Sequence, residues 1–261
     1  MKPPRAAVLA IGLSVVGRRG AKAAEGPGDT RGLPCRPTIA CTADIVVPGA
    51  VEIEAGSLTR SLGASRQETF PFLAKLTLAK WIQVQVGSNG YTAVRGPAPA
   101  SYFDNMTVGA KAHVLDQGDY RPAVSVSAAA SAPVASQDGQ SLYADAFFTG
   151  YVTKDLGPVH ADLNVGLNAW RLNADAASQG WIALALSTSL PPPFGLMLEN
   201  YYFTGAGAAA SHDGGVLFAV SHSPRPWLTF DAGGDVGYFP ATRAFSAFVG
   251  MTLVPVLLWR S

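Results

Sequence analysis

The chain has 261 residues, 48% hydrophobic and only 14% charged, with 19 Lys+Arg against 18 Asp+Glu and a formal net charge of +1. Soluble domains carry about 25% charged residues, so a mean hydropathy of +0.20 marks an apolar chain. Spanning helices are excluded, because the longest apolar run, Ala6 to Gly17, is shorter than the roughly 17 to 25 residues such a helix needs. The near-zero charge and the lack of a basic cluster remove nucleic acid as a partner. Aromatic and β-branched residues from Val46 to the C-terminus argue against disorder. What remains is a well-packed β protein, or a chain that buries apolar surface in lipid without long apolar runs.

At the N-terminus, Lys2 and Arg5 precede the apolar stretch, and Ala21-Lys-Ala23 offers small residues for cleavage, so 1–23 reads as a secretory signal. Arg18-Arg19 lies where a signal is normally uncharged. Residues 24–50 form a Pro/Gly-rich segment carrying the two cysteines, Cys35 and Cys41. In an exported protein such a pair reads as a local disulfide, with free thiols the alternative. No Cys/His cluster completes a metal site. This segment either folds into the following domain as a plug or remains a periplasmic tail.

From Val51 to the C-terminus, apolar and polar or small residues alternate in segments of about ten, which is the strand period. Twelve strands are predicted, at Val51–Gly56, Phe72–Leu78, Ile82–Gly87, Met106–Val114, Ala123–Ala132, Ala144–Thr153, Val159–Ala169, Trp181–Leu190, Leu196–Thr204, Val216–Ser221, Trp227–Tyr238 and Ala244–Leu253. The seventh is the most regular: Val159, Ala161, Leu163, Val165 and Leu167 face away from His160, Asp162, Asn164, Gly166 and Asn168. Connections alternate in length. Long ones are predicted at Leu62–Thr69, Tyr91–Asp104, Pro133–Tyr143, Trp170–Gln179 and Gly205–Gly215, and short ones follow the even-numbered strands.

That parity suits an all-β antiparallel transmembrane barrel, residues 51–261, with short periplasmic turns and longer extracellular loops, in the outer membrane of a Gram-negative bacterium. In hydrocarbon, unpaired backbone groups cost several kcal/mol, so strands can span only as a closed barrel. Trp81, Tyr91, Tyr102, Phe103, Trp170, Trp181, Trp227, Tyr238 and Phe239 stand at strand ends, where interfacial girdles form. If the apolar sets meet lipid, the opposite sets line the lumen. The candidates are Glu52, Glu54, Arg60, Lys75, Gln83, Gln85, Asn105, Lys111, His113, Asp145, His160, Asp162, Asn164, Asn168, Glu199, Asp231 and Asp235. Their acidic excess suits a polar passage for cations or neutral solutes; the alternative is a salt-bridged network that fills a narrow barrel.

The stretch Tyr102-Phe-Asp-Asn-Met-Thr-Val-Gly-Ala-Lys-Ala-His-Val-Leu-Asp116, with Arg121-Pro-Ala-Val-Ser-Val-Ser127, Asp145-Ala-Phe-Phe-Thr-Gly150 and Leu156-Gly-Pro-Val-His-Ala-Asp-Leu-Asn-Val-Gly166, resembles the outer-membrane transporters named for the meta pathway of phenol degradation. The resemblance implies an outer-membrane barrel that passes a small solute, an aromatic compound at the level of the family, with outer-membrane lipid as its surroundings and no cofactor. Two other classes compete. His160 and Asp162 on one face suit a barrel lipid hydrolase, but no Gly-x-Ser-x-Gly nucleophile accompanies them, so no enzyme is expected. A soluble exported barrel binding a ligand inside would show the same period with its apolar face inward.

Overall fold

Period-two alternation resolves into fifteen antiparallel strands in the computed structural model, which describes residues 30–132, 145–172, 175–205, 211–239 and 244–259. At 170–172, 175 and 176 only the backbone is described, and the signal segment 1–23 lies outside the described residues. The strands are β1 (Ala50–Leu62), β2 (Ser65–Thr69), β3 (Phe72–Ala79), β4 (Ile82–Ser88), β5 (Tyr91–Arg95), β6 (Ala100–Phe103), β7 (Met106–Leu115), β8 (Ala123–Ala132), β9 (Ala146–Leu156), β10 (Val159–Leu172), β11 (Asp175–Ser189), β12 (Phe194–Phe203), β13 (Asp213–Arg225), β14 (Leu228–Gly237) and β15 (Phe245–Leu257).

Twelve of these form the wall. Each pairs with its neighbours in chain order, and β15 returns to β1 from Ala50↔Leu257 to Ser61↔Phe245, so the sheet closes without an edge. Strands β2, β5 and β6 prolong this wall at the end opposite the short turns. β2 continues the hairpin with β1, and β5 and β6 follow it, beyond breaks at Phe70-Pro71, Asn89-Gly90 and Asp104-Asn105.

Three predicted long connections are therefore mostly strand. The Leu62–Thr69 connection is a two-residue turn at Gly63-Ala64 followed by β2, the Tyr91–Asp104 connection is the β5–β6 hairpin, and β10 and β11 run through most of Trp170–Gln179. The reason is physical. Where a hairpin stands clear of the apolar belt, both faces meet water and the hydrophobic alternation fades, although backbone pairing continues. The tight turns at Gly63 (φ 57°) and Gly157 (φ 64°) use a backbone region that side-chain-bearing residues avoid.

Burial is inverted relative to a water-soluble fold. Ile53, Val86, Val108, Val126, Phe148, Val165, Ile182, Leu198, Phe218, Val236 and Val249 are all exposed on the outer face. The largest side chains under 2% exposed include Glu52, Glu54, Glu199 and Asn164. A ligand-binding soluble barrel would put its apolar set inside, so that alternative is set aside by the packing itself. Arginine at Val165, midway along the outer face of β10, is expected to destabilise the folded barrel by about 2–4 kcal/mol in lipid; urea unfolding in liposomes checks it, with Asn164→Gln as an inner-face comparison.

Two aromatic positions differ from the girdle expectation. Trp181 shares its face with Ala183 and Ala185, so its ring turns inward, lies against Gly166, where a Cβ would sit 2.1 Å from the ring, and donates Nε1–H to Asn168 Oδ1. Trp227 packs with Val46, Ala50 and Val254. Trp81, Tyr91, Phe103 and Tyr238 remain exposed, and the Trp170 side chain lies outside the described residues. His222, just past the predicted strand Val216–Ser221, falls within β13, which runs on to Arg225.

Candidate functional site: a plugged lumen

Segment 30–49 has little hydrogen-bonded structure of its own, and its backbone polar groups find partners on the inner wall. It meets side chains or backbone of β1, β3, β7, β8, β9, β10, β12, β14 and β15. A segment touching strands all round a closed ring lies inside it. The Pro/Gly-rich stretch is thus a plug over its described residues, and Cys35 and Cys41 form a disulfide within it.

The plug is fastened mainly by wall side chains that bind its main chain. Glu54 accepts from the N–H groups of Cys35 (3.0 Å) and Arg36 (2.9 Å), while Glu199 accepts from those of Ile39 (2.8 Å) and Ala40 (2.6 Å). The disulfide loop is therefore held by a carboxylate at each side. Glu52 accepts from Leu33 N–H (2.5 Å), and Lys75, buried between Glu52 and Glu54, also donates to Leu33 O (3.0 Å). Asn164 both accepts from Cys41 N–H (2.6 Å) and donates to Cys41 O (3.0 Å). Such reciprocal bonds satisfy backbone groups that would otherwise be costly to bury.

On the other side, Lys111 donates to the carbonyls of Thr42 and Asp44 (3.2 Å) and lies 4.4 Å from the centre of the Tyr151 ring. Burial pushes the Asp44 carboxyl above its ordinary range, against the opposing pull of His113, His160 and Lys111. Small apolar plug residues fill the remaining contacts: Ala40 on Ala183, Ala185 and Tyr201, Ala43 on Ala123 and Tyr151, and Val46 on Ala50 and Val254.

The other candidates serve wall networks. Gln83 Nε2 donates to Thr77 Oγ1 (3.1 Å), and Gln85 Nε2 to Gln83 Oε1 (2.9 Å). Asp235 accepts from the Tyr201 hydroxyl (2.8 Å), Asp145 accepts from Ser131 Oγ (3.0 Å), and Arg60 pairs with Asp213 (3.2 Å). Asp231 instead reaches the plug, 3.5 Å from Arg36.

His160 stands between Asp155 (2.7 Å) and Asp162 (3.3 Å), and Thr153 Oγ1 donates to Asp162 (2.5 Å). His113 Nδ1 lies 3.1 Å from Ser125 Oγ, with Asp116 2.9 Å from Nε2. This Ser-His-Asp sequence of contacts was not legible in the strand pattern. Its serine is fully buried and donates to the Ala43 carbonyl, so here it fastens the plug.

Two cavities flank the disulfide loop. One, of about 430 Å³, opens among Pro71, Asn89, Asp104 and Asp145, at the end where β2, β5 and β6 stand. The other, of about 750 Å³, lies toward the short turns among Asp155, Ser189, Ser221 and Arg225.

No family model and no curated protein matches the sequence. Solved structures do. An outer-membrane channel from Pseudomonas putida F1 aligns with a TM-score of 0.62 at 8% identity, over 81% of this chain and 97% of that one. The chain has the fold of an outer-membrane barrel. The NanC porin follows at TM-score 0.55 and 8% identity, covering 77% of this chain and 98% of that one. The translocator domain of autotransporter NalP from Neisseria meningitidis aligns at 0.51 and 10% identity, over 85% and 90%. At these identities the likeness is one of fold, and this outer-membrane barrel must be understood from its own lumen.

Proposed function

We propose that this barrel lies in the outer membrane of a Gram-negative bacterium and passes a small solute through its lumen, acting as a channel and not as an enzyme. The observation that carries the proposal is the pair of cavities, about 430 and 750 Å³, on opposite sides of a plug held chiefly by hydrogen bonds. A barrel serving only as a structural stave would be as stable or more so with an apolar, close-packed interior, since replacing buried ion pairs by packed apolar residues is often neutral or stabilising. Phe72 and Phe147 line the first cavity and supply ring surface for a small planar solute. That is the support for the aromatic class implied by the resemblance to phenol-pathway transporters.

The test is conductance in planar bilayers of the refolded protein and of the double variant Glu54→Gln/Glu199→Gln. Replacing charge-assisted acceptors by neutral ones weakens each carboxylate's hold, for about 2 kcal/mol in all, which raises the open fraction roughly 30-fold. Wild type is expected to show brief, rare openings and the double variant long ones. If both stay silent while running as folded, heat-modifiable species, the lumen is a filled core and the channel proposal fails.

A further inference from the structure

Among the described residues, the two cavities have two lining residues in common, Arg36 and Thr38. Thr38 is neutral and spends its hydroxyl within the disulfide loop, on Ala40 O (2.7 Å) and Cys35 O (3.3 Å). Among the described residues, Arg36 is therefore the one charged group shared by both cavities.

Its seat is built by the wall. Gly56 of β1, Gly250 of β15 and Asp231 of β14 are successive cross-strand partners, forming a row across the seam where the barrel closes. The guanidinium lies on the two glycines: a Cβ on Gly56 would be 2.3 Å from Nη2, and one on Gly250 would be 2.4 Å from Nε. Nη2 donates to Val249 O (3.2 Å) and lies 3.5 Å from the Asp231 carboxylate. Any larger residue at either glycine would evict it.

The surroundings of this cation are acidic. Glu54, Asp104 and Asp145 line the first cavity, and Asp44, Asp155, Asp162 and Asp231 line the second, with Arg31, His160 and Arg225. An acidic mouth draws cations in and repels anions, whereas a fixed guanidinium at a constriction turns cations back.

We infer that Arg36 is the specificity-determining residue of the lumen, a cation barrier at the junction of the two cavities, so that the class of solute passed is neutral. This rests on the channel proposal above and adds to it the charge filter: on opening, the carboxylate-held main chain of the loop yields while the guanidinium keeps its seat on Gly56 and Gly250. It also accounts for an acidic inner wall in a passage that does not select cations.

The experiment is reversal potential and conductance across a KCl gradient, with the refolded full barrel in planar bilayers, for wild type, Arg36→Gln, Arg36→Lys and Gly250→Val. Heat-modifiable migration certifies that each variant is folded. Wild type should show little charge preference. Arg36→Gln and Gly250→Val, which remove or displace the guanidinium, should raise the cation-to-anion permeability ratio about tenfold. Arg36→Lys should keep the wild-type ratio, because it keeps the charge.

A merely structural plug residue would change conductance without moving the reversal potential, and that result overturns the inference. If Glu54→Gln/Glu199→Gln conducts while Arg36→Gln and Gly250→Val leave selectivity unmoved, the charge filter is wrong and the channel stands. If no variant conducts, including the double carboxylate variant, the channel proposal fails and takes the filter with it.

Discussion

Lys75→Met should destabilise the barrel by about 3–5 kcal/mol, because it leaves two buried carboxylates facing each other with no cation between them. The Lys75 side chain is 3% exposed and those of Glu52 and Glu54 are each 1% exposed, so water cannot take over the role of the ammonium. Removing one partner of a buried pair is far more damaging than removing the group as a whole. The triple variant Glu52→Gln/Glu54→Gln/Lys75→Met should therefore recover much of the loss. Urea midpoints of the detergent-refolded protein, read by heat-modifiable migration, make the comparison. Equal destabilisation of the single and triple variants would show that the charges matter little and that Lys75 acts by volume.

The second large effect is expected at Glu199. Alanine there removes the acceptor for the N–H groups of both Ile39 and Ala40 and opens space beside Tyr201. Two buried donors without partners cost about 3 kcal/mol, or roughly 100-fold in the population of released plug. The Cys35–Cys41 disulfide, half-buried while the loop is seated, should then be reduced and labelled with a bulky maleimide faster than in wild type under mild reductant. Glu199→Gln, which keeps one acceptor oxygen, should fall between. Labelling at the wild-type rate in Glu199→Ala would mean that the loop is held by its apolar contacts on Ala183 and Ala185 instead.

The architecture was legible because membrane burial imposes a period of two on every stave. His160, Asp162, Asn164 and Asn168 alternate with Val159, Leu163, Val165 and Leu167, and the β10 register follows that parity without interruption. Above the belt this signal disappears, since Ser65–Thr69 and Ala100–Phe103 pair by backbone with no apolar side to keep. The plug was legible only as composition. Its contacts are main-chain N–H and C=O groups bound by distant carboxylates and amides, and every residue type offers the same backbone donor and acceptor. Arg36 carried no pattern at all, because what singles it out is a pair of glycines about twenty and more than two hundred residues away. Trp181 was misplaced because a strand-end position suggests a girdle, whereas its face is decided by Ala183 and Ala185.

The seam between β1 and β15 joins segments from opposite ends of the sheet's sequence, and Arg36 rests on both of them. Long-range strand pairing of this kind is the slow step in forming a sheet protein. The plug's earliest partners in sequence, Glu52, Glu54 and Lys75, belong to the first hairpin, while Asp231 and Gly250 belong to the last. The disulfide loop is thus placed to act as a mandrel: strands are wound around it in order, and the final zipping of the barrel wall and the docking of the guanidinium become a single event.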